Sequence, residues 1–100
     1  MTRVIVTLRA QEDILTACQW YESERTGLGL EYVAIIDAVL ALVARNPAAF
    51  RQRHDEMRMA ITPRFPYLIC FVWNEAGDVV SVRRVLHAKR DRPPLSGGTA

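Results

Sequence analysis

The residues of this chain that could act on an anion lie in its second half: Arg58, Arg64, Arg83, Arg84, Lys89, Arg90 and Arg92, with His54 and His87. Cleaving RNA without a metal needs a base for the 2′-hydroxyl proton, cations for the pentacoordinate phosphorus and an acid for the leaving oxygen. Histidine can carry that proton in either direction near neutral pH. His87 stands beside Lys89 and Arg90, so a proton carrier and phosphate clamps can converge at the end of one strand. The competing expectation is a His87 ring hydrogen-bonded within its own hairpin. His54, next to Asp55 and Glu56, reads as a surface residue. Without catalysis, cations held on a rigid strand suit gripping a polyanion or docking on an acidic partner.

Other chemistries find little support. Cys18 and Cys70 are isolated, with no CxxC pair and no histidine close in sequence, so neither a thiol nucleophile nor a disulfide framework is expected. His54, His87 and the cysteines lack metal-ligand spacing, and no metal or cofactor is expected. Gly27-Leu28-Gly29 precedes a helix but follows another helix and has no third glycine, so it reads as a helix–helix turn rather than a phosphate loop. Trp20 and Trp73 could stack bases. Their apolar neighbours favour a core or partner-facing role.

One hundred residues suit a single domain, here placed at 1–92 with a loose tail over 93–100. A domain of this size hides only about 60–68% of the surface of its unfolded chain. Half of the residues are hydrophobic, which argues against disorder. No apolar run reaches the roughly 20 residues that span a bilayer. The start, MTRVIVTLRAQED, does not read as a signal peptide, and the expected location is the cytoplasm. Charge is uneven. Residues 1–50 carry four arginines against six acids, whereas residues 51–100 carry nine cations against five acids. Lys89 is the only lysine in the chain. Arginine forks onto phosphates and carboxylates, although a GC-rich genome would produce the same bias.

Val4, Val6 and Leu8 alternate as a strand would. From Gln11 the period changes, and Ile14, Ala17, Cys18 and Tyr21 form the stripe of an amphipathic helix, with Glu12 and Asp13 expected in its first turn. Thr26-Gly27 ends it. Leu28 to about Arg45 is a second helix, closed by Asn46-Pro47. It carries two apolar stripes, Val33-Ile36-Leu40-Val43 and Tyr32-Ile35-Val39-Leu42, so it needs cover on most sides. Residues 48–56 read as irregular, with room for a helical turn. Met57–Ile61 alternates, with Arg58 on the opposite face to Met57, Met59 and Ile61. Tyr67–Trp73 is apolar on both faces and marks a central strand. Asn74-Glu75-Ala76-Gly77-Asp78 suits a hairpin turn into Val79–Leu86.

The stretch Arg64–Asp91, with Ala10–Tyr21 and the Thr26-Gly27-Leu28-Gly29 junction upstream, resembles the RelE/ParE toxins of bacterial type II toxin–antitoxin pairs. The resemblance implies an α+β fold in the order β-α-α-β-β-β, a helical hairpin on one face of a small, mainly antiparallel sheet. In the mRNA-cleaving branch, basic residues on the middle strands and an arginine near the end of the last strand hold the message in the ribosome. Arg90 falls at that arginine's position, and His87 sits where some members carry histidine. The position after the middle-strand tyrosine, often arginine in that branch, is Leu68, and no aromatic residue follows Trp73. These departures bring the chain closer to the ParE-like branch, whose members are thought to poison DNA gyrase by binding.

Three readings follow from the resemblance. The leading one is a ParE-like toxin that arrests growth by binding gyrase. The second is a metal-independent endoribonuclease acting on mRNA in the ribosome. The third is an interaction module that keeps the fold without toxicity. Arg58, Arg64, Lys89 and Arg90 are the expected target-binding cations, and His87 and Arg90 the catalytic candidates if the chain is an enzyme. An acidic antitoxin that folds on binding is the expected partner, on Tyr32, Ile35, Val39 and Leu42. Operator DNA would be reached only through the antitoxin, and no membrane is involved. Strand alternation also places Arg83 and Arg84 on opposite faces, with Arg84 in the row of Val80, Val82 and Leu86 and paired to Asp37.

Overall fold

Alternation along Tyr67–Asn74 sends Tyr67, Ile69 and Phe71 to one face and Leu68, Cys70 and Val72 to the other, and this strand is the middle of the structure. A computed structural model describes residues 2–91. Arg92 and the expected tail over 93–100 lie outside the described residues. Chain order is β1 (Arg3–Val6), α1 (Leu8–Glu24), α2 (Leu28–Arg45), β2 (Gln52–His54), β3 (Met57–Ile61), β4 (Tyr67–Asn74) and β5 (Val79–His87), with one 3-10 turn at Pro47–Ala49. The sheet order is β1-β5-β4-β3-β2. Only the β1–β5 pair is parallel. This is the expected α+β arrangement of a helical hairpin on one face of a mainly antiparallel sheet, enlarged by β2.

α2 has the bounds its pattern predicts, and it supplies Tyr32, Ile36, Val39 and Val43 to the core. Each of the buried aliphatic side chains, Ile36, Val39 and Val43, contributes roughly 1.5–3 kcal/mol. α1 contributes Ala10 and Ala17, small residues that let the helix lie close to the sheet. It begins at Leu8 rather than Gln11, because Thr7 caps it: the Ala10 N–H donates to the Thr7 hydroxyl at 3.2 Å. Glu12 and Asp13 therefore lie beyond the first turn. The hairpin turn has an unusual cap. Glu22, near the end of α1, accepts hydrogen bonds from the N–H groups of Gly27 and Gly29 at 2.9 and 3.0 Å, satisfying donors that open α2. Gly27 takes the left-handed φ of 90° that starts the second helix.

β5 departs from strict alternation. Cys70 pairs with Arg84 while Phe71 pairs with Val82, so Arg83 is the extra residue of a β-bulge. Before the bulge, Val80 and Val82 face the helices; after it, Val85 does. The insertion overturns the expected placement of the two arginines. Arg84 leaves the row of Val80 and Val82 and pairs with Cys70 on the open face. Arg83 is on that face as well, its Nε donating to the Ser81 hydroxyl at 2.9 Å.

Candidate functional site

β1 covers only the first half of the β5 edge, as far as Val82. Beyond that point the strand's outward N–H groups need other acceptors. Asp13 of α1 supplies one, accepting from the Val85 N–H at 3.0 Å. Its two oxygens also take a bidentate grip from Arg84, at 2.8 Å from Nε and 3.2 Å from Nη2. Asp13, not Asp37, is thus the partner of Arg84, and the hydrogen bond raises the arginine's pKa further above its ordinary value. Asp91 supplies the second acceptor, at 3.1 Å from the His87 N–H.

His87 is held at the end of this strand. The backbone N–H groups of Lys89 and Arg90 both donate to its Nδ1 at 3.1 Å, and its ring meets Tyr67 edge-on. Nδ1 must be unprotonated to accept both. Burial, then the charge of Arg90, moves the ring pKa below 6.5. The imidazole is thus neutral near pH 7, and its committed nitrogen cannot act as a base. We expect an NMR titration to show the Nε2–H tautomer and a pKa under 6.5. Because the folded-state pKa is depressed, the stability linked to this ring is present above pH 6.5 and lost as pH falls from 6.5 through the folded value. A ring pKa above 6.5 would restore His87 as a proton carrier.

Arg90 reaches back over the helix side. Its Nη2 donates to the Tyr67 hydroxyl at 3.3 Å, and its guanidinium lies 5.9 Å from the centre of the Trp20 ring. Burial, aided by a hydrogen bond with Tyr21, pushes the Tyr67 phenol up to about 12. Trp20, Tyr21, Tyr32, Phe65, Tyr67 and His87 form a continuous set of ring contacts at this end of the molecule. Arg64 caps the set from the β3–β4 loop, 4.9 Å above Phe65 and ion-paired with Glu31 of α2. That hydrogen bond from Arg64, with the charge of Arg25, holds the Glu31 carboxyl below the usual carboxylate range. Arg64 has a left-handed φ of 68°, a strained backbone that the ion pair and the ring contact help to hold.

The four expected target-binding cations do not form one patch. Arg64, Lys89 and Arg90 share the aromatic end. Arg58 is on β3 opposite Phe71, on the helix side, donating to the Phe50 carbonyl and stacked 5.6 Å from the Trp73 ring. That arginine ties β3 to the chain before β2. The expected antitoxin face also divides. Tyr32 and Val39 are core residues, while Ile35 is half-buried and Leu42 exposed. The 100° turn per residue points the second stripe largely at the sheet. The surface of α2 that remains open carries Leu30, Ala34, Ala38, Ala41 and Leu42. Among the described residues, no three His, Cys, Asp or Glu side chains gather as a metal site, and no helix is long and apolar enough to cross a membrane. Burial pushes the Cys70 thiol up to about 11, far from a reactive thiolate.

From the sequence, Asp13 is expected only in a first helical turn and Trp20 only as a stacking, core or partner-facing ring, with neither linked to the end of β5. Their signal was present: Asp13, Thr16, Ala17 and Trp20 recur at i, i+3, i+4 and i+7, a second helical stripe one residue out of step with the core stripe.

The fold is a two-helix hairpin on a mixed five-stranded sheet, with an aromatic end flanked by Arg64 and Arg90. The family model described as ParE toxin of type II toxin–antitoxin system, parDE, matches residues 4–92, and the chain belongs to that family. Among solved structures, a chromosomal ParDE TA system from P. aeruginosa matches with a TM-score of 0.75 and 16% identity, over 87% of this chain and 96% of that chain. At that identity the likeness is one of fold. No curated protein matches the chain.

Proposed function

We propose that the chain arrests bacterial growth as a ParE-like toxin, by binding DNA gyrase rather than by cutting RNA, and that a cognate antitoxin silences it in the cytoplasm. Family membership supports the toxin role. The observation that carries binding over cleavage is the His87 ring, whose Nδ1 is occupied by two backbone donors. Arg58, Arg64 and Arg84 are likewise engaged by protein oxygens. Little remains to move a proton, whereas Arg90 and Lys89 stand ready for an acidic surface. The antitoxin is expected to be acidic and to order on contact, laying an apolar helix face on Leu30, Ala34, Ala41 and Leu42. The matched fold comes from a toxin–antitoxin system, which fits such a partner.

Induced expression in bacteria, with plasmid supercoiling and mRNA integrity followed together, tests this reading. We expect growth arrest with altered supercoiling and intact messages, relieved by co-expression of the adjacent small open reading frame. Arg90→Ala should blunt the arrest while leaving thermal stability within about 0.5 kcal/mol, as for other exposed positions. Abundant cuts within translated codons would establish the endoribonuclease instead. Normal growth on induction of folded protein would leave an interaction module that has lost toxicity.

A further inference from the structure

The cleft between α1 and the end of β5 has a volume of about 190 Å³ and is lined by Asp13, Thr16, Trp20, Tyr67, Val85 and Arg90, among others. Its charges are unevenly committed. Asp13 is consumed by Arg84 and the Val85 N–H, and Asp91 by the His87 N–H. Arg90 is different. Its contacts are one neutral phenol and the face of an indole that is itself 50% exposed. Among the described residues no carboxylate pairs with it. A guanidinium has five donors in a planar fork suited to two oxygens of one anion. Stacking on Trp20 and bonding to Tyr67 fix that fork before any ligand arrives, so little order is lost on binding.

We infer that this cleft is a binding site for a carboxylate on a short apolar stem, the side chain of a glutamate or aspartate presented by a protein partner. The carboxylate would meet the open edge of the Arg90 fork, with the Thr16 hydroxyl on the cleft wall as a further donor. Its methylene groups would lie against Trp20, Ala17 and Val85. The charge of the cleft favours a carboxylate over a phosphate: Asp13 and Asp91 line it, and their charges oppose a dianion more than a monoanion. This inference concerns ligand chemistry and stands whether the partner is a target or an antitoxin. It can therefore fail while the toxin reading holds, and the reverse.

The test is a 15N NMR titration of the intact protein with N-acetyl-glutamate amide, its glutamine counterpart and inorganic phosphate. The Trp20 indole N–H and the Arg90 Nε–H report the cleft. The Trp73 indole, which donates to Asp78 at 3.3 Å, is the internal control for fold. The expected result is saturable movement of the Trp20 and Arg90 signals with the glutamate compound at millimolar concentrations. The glutamine compound and phosphate should bind at least about tenfold more weakly, the loss of a charge-assisted pair or its desolvation. Arg90→Gln should abolish the movement at Trp20 while the Trp73 signal stays in place. Trp20→Phe, which keeps a ring beneath the guanidinium, should bind but more weakly. Equal shifts with glutamine, tighter binding of phosphate, or an unchanged titration in folded Arg90→Gln would each overturn the assignment.

Discussion

Asp13→Ala should destabilise the protein by about 2–4 kcal/mol, a large share of the roughly 5–15 kcal/mol that holds a small domain together. The substitution removes three hydrogen bonds at once, two from Arg84 and one from the Val85 N–H. The Val85 donor then faces the sheet edge from a residue that is 3% exposed. Arg84 loses less, because its side chain is 36% exposed and water can replace part of the ion pair. That discount makes the two partners unequal. Arg84→Ala should cost about 1 kcal/mol less than Asp13→Ala, since Asp13 would keep its bond to Val85 and has Arg9 at 3.8 Å. Denaturant melts of both single variants and the double variant measure the coupling. If Arg84→Ala proved the more damaging, packing of the arginine stem rather than capping of the strand edge would be the main role of the pair.

The Asp13–Arg84 bond also shows where sequence reasoning reaches its limit. Apolar periodicity with its flanking turn signals delimits α2 at Leu28–Arg45 and places β3 and β5 within a residue or so, while β4 is placed as closely by a continuous apolar run that ends at the Asn74–Asp78 turn. It does not show the bulge. One inserted residue at Arg83 leaves valines at every second position on one side of it, and the shift is visible only against the partner strand. Strict alternation then assigns Arg84 to the core row, with Asp37, on an otherwise apolar helix, as its expected counter-charge. The real partner is 71 residues away in sequence, and nothing near Arg84 points to it.

β2 was hidden for another reason. It is a three-residue polar edge strand, Gln52-Arg53-His54, with no apolar face to repeat. At the helix start, Leu8 satisfies both a strand and a helix pattern, and the Thr7 cap decides between them. The cationic end was legible in outline, since Lys89 and Arg90 follow a buried strand. Its aromatic wall was not. Trp20 belongs to a stripe that shares Ala17 with the stronger core stripe, and the stronger pattern masks the weaker one.

Gly29→Ala offers a test in which two known effects oppose each other. In an exposed helix interior, alanine is favoured over glycine by about 1 kcal/mol, so propensity alone forecasts a gain. Gly29 is buried where the two helices meet, however. A Cβ there would lie 2.7 Å from the Cys18 carbonyl oxygen, 3.0 Å from the Cys18 Sγ and 3.0 Å from a Glu22 carboxylate oxygen. A thiol can rotate away, but a backbone carbonyl on a packed helix cannot move without pushing α1 off α2. The third contact touches the oxygen that accepts the Gly29 N–H, so the cap of α2 is disturbed together with the packing. Overpacking of this kind costs about 1–3 kcal/mol and the lost cap about 1 kcal/mol, which together outweigh the propensity gain. The expected net loss is about 1–3 kcal/mol, seen as a lower denaturation midpoint with an unchanged slope. Gly27→Ala serves as a contrast. Nothing lies within 4 Å of its added Cβ, so any loss there comes from the left-handed φ of 90° alone. A Gly29→Ala variant more stable than the parent would mean that the helices separate at little cost, and that the hairpin does not depend on this close approach.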